Sequence, residues 1–423
     1  TQCQELGRSL SISSVDPSAG TVWGGNEVTV RGSNFPSNPV VTFGGLSATV
    51  VSATSSGILV NVPAPASGET GAVDVNVTDA LGNSVTRTNA YTYRSMLFCA
   101  NHGSNDVSSF NFDNKAPSLQ LFSTTNASSG GAFPASIGVD VESQLAFVAN
   151  TQTIGVFDFS YADGVLTQIG SSVSAQGTGV MAIAVDSEHD VVFTASSADN
   201  TVSSFIYNPD TGETAYAYTI GSGGTFPRRI ALDETNRLLF VVNRDSPNIG
   251  VFKYQTDGAL EAVAGSPFAV SGTQPTSVAV DPDSSRRLVF VALSGSAEVE
   301  SLTYSTAGAL TSKKRVSSDG TRPYDLAVDS AGQLMFVINQ DSRTMSSFVY
   351  DSEGTMTLAG SVGTGGATPY AVALDAASGH AFVANEGASS IGLFTYDSAG
   401  ALSAVGLTVS SNGTNPRGLV FVP

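Results

Sequence analysis

The sequence predicts an all-β protein, a small β-sandwich followed by a seven-bladed β-propeller. Three observations predict it. The composition favours strands over helices, the first 85 or so residues read as short alternating strands, and the remainder repeats with a period near 47 residues.

Composition narrows the class. Only 13% of the 423 residues are charged, about half the usual share of ~25%, and the net charge is −18. Glycine, at 44 residues, exceeds its ~7% norm. Duplex nucleic acid and anionic membranes are poor partners, because both require a dense positive surface. No apolar run approaches the ~20 residues of a membrane span. Recurring β-branched and aromatic residues argue against disorder, and the Gly, Ser, Thr and Val load argues against long helices.

The chain opens Thr1-Gln2-Cys3 without an initiator Met or a charged-then-apolar leader, so it reads as a chain whose leader was trimmed or removed. Two cysteines in a chain of this size suit an oxidising compartment. Cys3 lies in a polar tail, residues 1–9, and Cys99 in the apolar run Met96-Leu97-Phe98-Cys99-Ala100. A Cys3–Cys99 disulfide pinning the tail to the second unit is expected, the alternative being Cys99 as a core thiol. With little lysine and many hydroxyl residues, the expected location is extracellular or at the cell surface.

Residues 10–94 form the first unit. Val28-Thr29-Val30-Arg31, Val40-Val41-Thr42-Phe43 and Val73-Asp74-Val75-Asn76-Val77 alternate as half-buried strands do. Gly24-Gly25-Asn26, Gly44-Gly45 and Pro63-Ala64-Pro65 supply the turns. Pro17 to Gly20, Gly24-Gly25 to Phe35, Val41 to Gly45, Pro63 and a closing Tyr91 or Tyr93 together resemble the IPT/TIG immunoglobulin-like family. That resemblance implies an Ig-like spacer or interaction module without chemistry.

Residues 95–423 form the second unit. A phrase of proline, then apolar residues ending in Asp, closes at Asp140, Asp233, Asp281, Asp329 and Asp375, and Asp186 ends a copy led by Val180. Each copy is followed by an apolar strand holding Phe147, Phe193, Phe240, Phe290, Phe336 or Phe382, then by a strand ending in aromatics such as Phe252 and Tyr254. A turn glycine leads to a fourth strand, as in Asp257-Gly258-Ala259-Leu260. Four strands per repeat is the pattern of a propeller blade. Phe98 and Asn101 match Phe147 and Asn150 but lack a preceding first strand, which Asn415 to Phe421 supplies at the far end. One blade is therefore expected to be assembled from both ends of the unit, closing a ring of seven.

Phe147-Val148-Ala149-Asn150, Phe240 to Arg244, Phe382 to Glu386 and Asn415-Pro416-Arg417-Gly418 resemble the seven-bladed lactonase-like family, related to phosphogluconolactonase and to surface-layer-type (YVTN-like) propellers. The resemblance implies a lactonase reading in which Arg228 and Glu386 carry the chemistry. The lactonase branch's Pro-Arg-His phrase is Pro227-Arg228-Arg229 here, so arginine stands where its histidine belongs. Lactone opening needs a base and an oxyanion stabiliser. His102, His189 and His380, the only histidines, read as loop or turn residues.

Arg228, Arg229, Tyr324, Asp325, Tyr370 and Arg417 follow the inner-strand prolines and should gather near one mouth of the channel. They form either an anion-binding mouth or arginines paired with blade carboxylates. The repeated Asp, including the dense Asp281-Pro282-Asp283, is read as bonding its own turn rather than calcium. No metal or cofactor is expected. Asn76, Asn126 and Asn412 head glycosylation-type triplets of little weight. The functional expectation is a secreted or cell-surface, non-catalytic scaffold, self-associating or binding protein partners in an array or filament. The alternatives are a lactonase-type hydrolase, or a binding module for a small anionic ligand or glycan at the channel mouth.

Overall fold

The computed structural model describes residues 9–65, 68–115, 117–121 and 126–423. Among these residues the regular structure is almost wholly β, with a single 3-10 turn at Glu386–Ala388 inside the propeller. Cys3 lies outside them, and so does its expected disulfide. Cys99 is a free, fully buried thiol, donating to Asn101 Oδ1 at 3.6 Å, and burial pushes its pKa up.

The first unit is a sandwich. Strands Ser11–Asp16, Glu27–Ser33, Gly57–Asn61 and Thr49–Ala53 make one sheet, in that spatial order. Leu46–Ser47, Val40–Phe43, Gly71–Thr78 and Ser84–Asn101 make the other. Val28, Val30, Phe43, Ile58, Val60, Val75, Val77 and Tyr91 interdigitate between the sheets with no exposed surface. Alternation does this: along Glu27–Arg31 the valines face inward while Glu27 and Arg31 face water.

The expected boundary between Arg94 and Ser95 falls inside one 18-residue strand, Ser84–Asn101. Its first half pairs with Gly71–Thr78 of the sandwich, and its second half pairs with Asp106–Asp113 of the propeller. The two units therefore share a backbone ladder rather than a flexible linker. Ala19 of the sandwich is packed in the same apolar cluster as Phe98, Phe159 and Tyr161.

Seven four-stranded blades close the ring. The inner strand Pro416–Val422 pairs antiparallel with the long strand, Leu419 opposite Cys99 and Val422 opposite Met96. This is blade 1, built from both ends of the unit. Blades 2 to 7 follow in chain order, with inner strands Ser136–Asp140, Val180–Asp186, Pro227–Asp233, Pro275–Val280, Pro323–Asp329 and Pro369–Asp375.

The Asp that ends each inner strand accepts from its own turn, as at Asp140 from the Glu142 and Ser143 amides, both 3.1 Å. It also holds the next blade. Tyr207, Tyr254, Tyr304, Tyr350 and Tyr396 donate to Asp140, Asp186, Asp233, Asp281 and Asp329 at 2.7–3.2 Å. The composite blade departs on both sides. Phe112 and Phe159 occupy the tyrosine positions, and Val422 occupies the aspartate position. Asp375 is left to bond Ser378. The aromatic contact of the other junctions persists there without the polar latch, Phe112 lying edge-on to Phe382 at 5.0 Å as Tyr254 does to Phe193 at 4.8 Å.

Candidate functional site

The channel mouth owes its shape to a repeated irregularity. In blade 4 the pairing slips between Pro227 and Arg229, and equivalent slips follow Val180, Pro275, Pro323, Pro369 and Pro416. A bulge re-aims the side chain it displaces. The displaced residues include Arg228, Thr276, Tyr324, Tyr370 and Arg417. One position further along, Ser136, Ala182, Arg229, Ser277, Asp325, Ala371 and Gly418 ring a cavity of about 180 Å³, to which every inner strand contributes. Ile183, Ile230, Val278, Leu326 and Leu419 wall it more deeply.

Of the six residues expected at the mouth, Arg229, Asp325 and Arg417 line the cavity, while Arg228, Tyr324 and Tyr370 pack on one another. Arg228 is 2% exposed, its Cζ 3.8 Å above the Tyr324 ring centroid and 5.4 Å from that of Tyr370. Its Nη1 donates to the carbonyls of Thr276 and Tyr324, and Nη2 is buried without an acceptor among the described residues. Burial opposes its charge, but Tyr324, Tyr370 and Asp325 outweigh burial and raise its pKa. The Tyr324 phenol is correspondingly lowered: burial would raise it, and the charge of Arg228 prevails. Tyr324 and Tyr370 meet edge-to-face at 4.9 Å.

Arg229 and Arg417 line the cavity itself. Arg229 Nε bonds Asp325 Oδ1 at 3.2 Å, and that carboxylate also accepts from the Ser277 hydroxyl at 2.7 Å and the Val372 amide at 3.2 Å. Arg417 places Nε and Nη2 on Glu386 Oε1, both at 2.7 Å. Glu386 arrives on the turn joining the second and third strands of blade 7, at the end of the blade where the inner strands begin. Arg229 Nη1 and Nη2 and Arg417 Nη1 have no acceptor among the described residues.

Arg228 and Glu386, the two residues of the lactonase reading, have different partners. Arg228 packs on Thr276 and the tyrosines, whereas Glu386 is held by Arg417. Of the two expectations for the arginines, pairing with carboxylates is met by Arg229 and Arg417, and both of these also line the cavity. The histidines differ from one another. His102 stacks at 5.1 Å on Phe133, and burial, with Arg417 nearby, pushes its pKa down to about 4. His189 bonds Asp186 at 2.9 Å in its turn. His380, expected in a turn, instead opens the strand His380–Asn385 and is buried against Phe112. Strand pairing with Asp375 draws it inward.

Asp281 is engaged by Arg286 at 2.9 Å, by Ser330 and by Tyr350. No group of three metal-ligating side chains occurs among the described residues. Asn126 and Asn412 bond each other where the ring closes, Nδ2 of Asn412 to Oδ1 of Asn126 at 2.8 Å.

Residues 10–93 match the IPT/TIG domain model, and residues 151–280 and 293–419 match the model of the lactonase, 7-bladed beta-propeller family. The chain belongs to the seven-bladed lactonase-type propeller family. Similar solved structures share the propeller at low identity. A putative 6-phosphogluconolactonase from Bacteroides fragilis is 16% identical with TM-score 0.69, covering 78% of this chain and 98% of that one. The periplasmic gluconolactonase of Pseudomonas aeruginosa is 17% identical with TM-score 0.68, covering 78% and 99%. A Lactobacillus plantarum protein is 21% identical with TM-score 0.68, covering 78% and 99%. No curated protein matches the chain significantly. At these identities the likeness shows the propeller fold alone.

Proposed function

We propose that this lactonase-type propeller is a binding module whose channel mouth takes a small monoanion of the carboxylate or sugar-acid class. The observation that carries this is the unequal pairing of charge. Three guanidinium groups, Arg228, Arg229 and Arg417, meet two carboxylates, Asp325 and Glu386. One positive charge is left over, and guanidinium nitrogens without acceptors face a cavity of about 180 Å³. That is the space of about six waters at ~30 Å³ each, enough for a small organic acid. A guanidinium fork is the natural partner of a carboxylate.

Hydrolysis is the less favoured reading. Asp325 has both oxygens occupied, and Glu386 Oε2 is the one mouth carboxylate oxygen without a partner among the described residues. The sandwich, rigidly fused to blade 1, acts in this reading as a spacer that presents the propeller. An extracellular or cell-surface setting is supported by the low charge and scarce cysteine, and no helix is long and apolar enough to cross a membrane among the described residues.

Calorimetric titration with gluconate and glycerate, both monoanions at neutral pH, tests the proposal. Saturable binding is expected, weakened about tenfold or more by Arg417→Ala or Arg229→Met. Absence of saturation by about 10 mM ligand would overturn it. Turnover of gluconolactone that disappears in Glu386→Gln would replace it with the hydrolase reading.

A further inference from the structure

A second cleft lies where the sandwich meets blade 2, far along the chain from the mouth residues. It encloses about 680 Å³ between the turn after Ala19–Thr21 and the blade 2 segments around Glu142 and Tyr161. Its floor is fixed: Ala19 and Tyr161 are buried in one cluster, and the Tyr161 hydroxyl donates to the Pro423 carbonyl at 3.1 Å. Pockets of this size commonly hold small ligands.

Trp23, the chain's only tryptophan, stands in this cleft 60% exposed. Its display is built in. Val22 enters the sandwich core, which turns the next side chain outward. Gly24 then adopts φ +68 against Pro63 and Ala64, where a Cβ would lie 2.4 Å from the Ala64 nitrogen. Gly24 N–H bonds Thr21 O at 3.2 Å, and Gly25 N–H bonds Val62 O at 2.7 Å. The backbone that carries the indole is thus held in a fixed turn, which lowers the ordering cost a ligand must meet.

Around it stand Glu27, Glu142 and Gln144, whose side chains engage no other protein group among the described residues. No Lys, Arg or His lines the cleft. Anionic ligands are therefore disfavoured, since they would face two carboxylates with no cation. An apolar platform beside carboxylate acceptors and an amide donor suits a molecule with an apolar C–H face and a hydroxyl rim.

We propose that this cleft binds a neutral oligosaccharide, one pyranose ring stacked on Trp23 with its hydroxyls taken by Glu27, Glu142 and Gln144. The site is independent of the anion site at the channel mouth. Because Trp23 is the sole tryptophan, the intrinsic fluorescence of the whole chain reports on it directly. Titration with maltotriose, cellotriose and triacetylchitotriose, all neutral, should shift or quench the emission saturably for at least one, undiminished by saturating gluconate. By calorimetry, Trp23→Ala should weaken that sugar about tenfold or more, and Glu142→Gln should weaken it less. The exposed indole makes Trp23→Ala a variant that folds, which its melting temperature will verify. The proposal is overturned if no trisaccharide gives a saturable change, if Trp23→Ala binds as tightly, or if tetramethylammonium alone saturates the emission.

Discussion

Arg229 Nε meets Asp325 Oδ1 at 3.2 Å across the channel mouth, joining inner strands two blades apart. Both side chains are nearly buried, at 12% and 11% exposed, so a charge that loses its partner is left poorly solvated. Asp325→Ala should cost about 3 kcal/mol, because it strands the Arg229 charge and the Ser277 hydroxyl together. The double variant Arg229→Met with Asp325→Leu should recover most of that loss, since it removes both charges at once. Urea denaturation of the two variants measures this; equal losses would show that the pair contributes no coupling.

The tyrosine–aspartate latch predicts a separate stability effect. Tyr304 donates to Asp233 at 2.7 Å between blades 5 and 4, while Asn236 Nδ2 bonds the same carboxylate oxygen at 2.7 Å. Tyr304→Phe should therefore cost about 1.5 kcal/mol, the lower part of the range for a bond to a charged group, because the carboxylate keeps a donor. Thermal melts of this variant should show a lower midpoint with two-state shape retained.

The latch also shows what the sequence could and could not reveal. The repeated Asp and the recurring Tyr were both legible as repeat positions, and ring closure followed from the missing first strand at Phe98. Their bond was not legible, because it joins residues about 70 positions apart that meet only when blades stack. The mouth residues were legible for the same reason as the blades, since each follows an inner-strand proline or lies beside one. Their partners were not. Pairing Arg229 with Asp325 requires the ring to close over 96 residues, and Glu386 reaches Arg417 only across the seam. His380 was misread because strand onset depends on its pairing with Asp375, which local turn chemistry does not encode. The cleft at Trp23 left no trace, as it arises only where the sandwich meets blade 2.

Closure by Pro416–Val422 predicts the effect of truncation. Removing residues 416–423 deletes the inner strand of blade 1 and uncovers the edge of Met96–Asn101, whose side chains are wholly buried. An open apolar edge of this kind invites pairing between molecules. The truncated chain should melt less cooperatively and elute as aggregate in size exclusion, whereas the substitution Arg417→Ala, which leaves the strand in place, should elute as the parent does.

Cys99 gives a chemical check on the same seam. Its thiol is fully buried and its pKa is pushed up by burial, so its nucleophilic form is suppressed. In a Cys3→Ser variant, a thiol reagent should find no reactive group in the native protein and one after unfolding. Rapid labelling of the native variant would show that the blade 1 core opens readily.

Glu234 predicts how stability depends on pH. It follows the inner strand of blade 4, and burial, then the neighbouring Asp186 and Glu188, push its carboxyl up to about 7 from its ordinary value. Between its unfolded and folded values the native chain binds the extra proton, so native stability falls as pH rises from about 4.5 to 7. Above pH 7 the carboxylate is ionised in both states and the full penalty is present. Glu234 is half-buried, so solvent screening reduces that penalty to about 1 kcal/mol. Glu234→Gln should therefore be more stable than the parent at pH 8 and nearly equal to it at pH 4. Melting temperatures of both proteins across this range test it. A constant difference at all pH values would mean that the substitution acts through packing or hydrogen bonding rather than through charge.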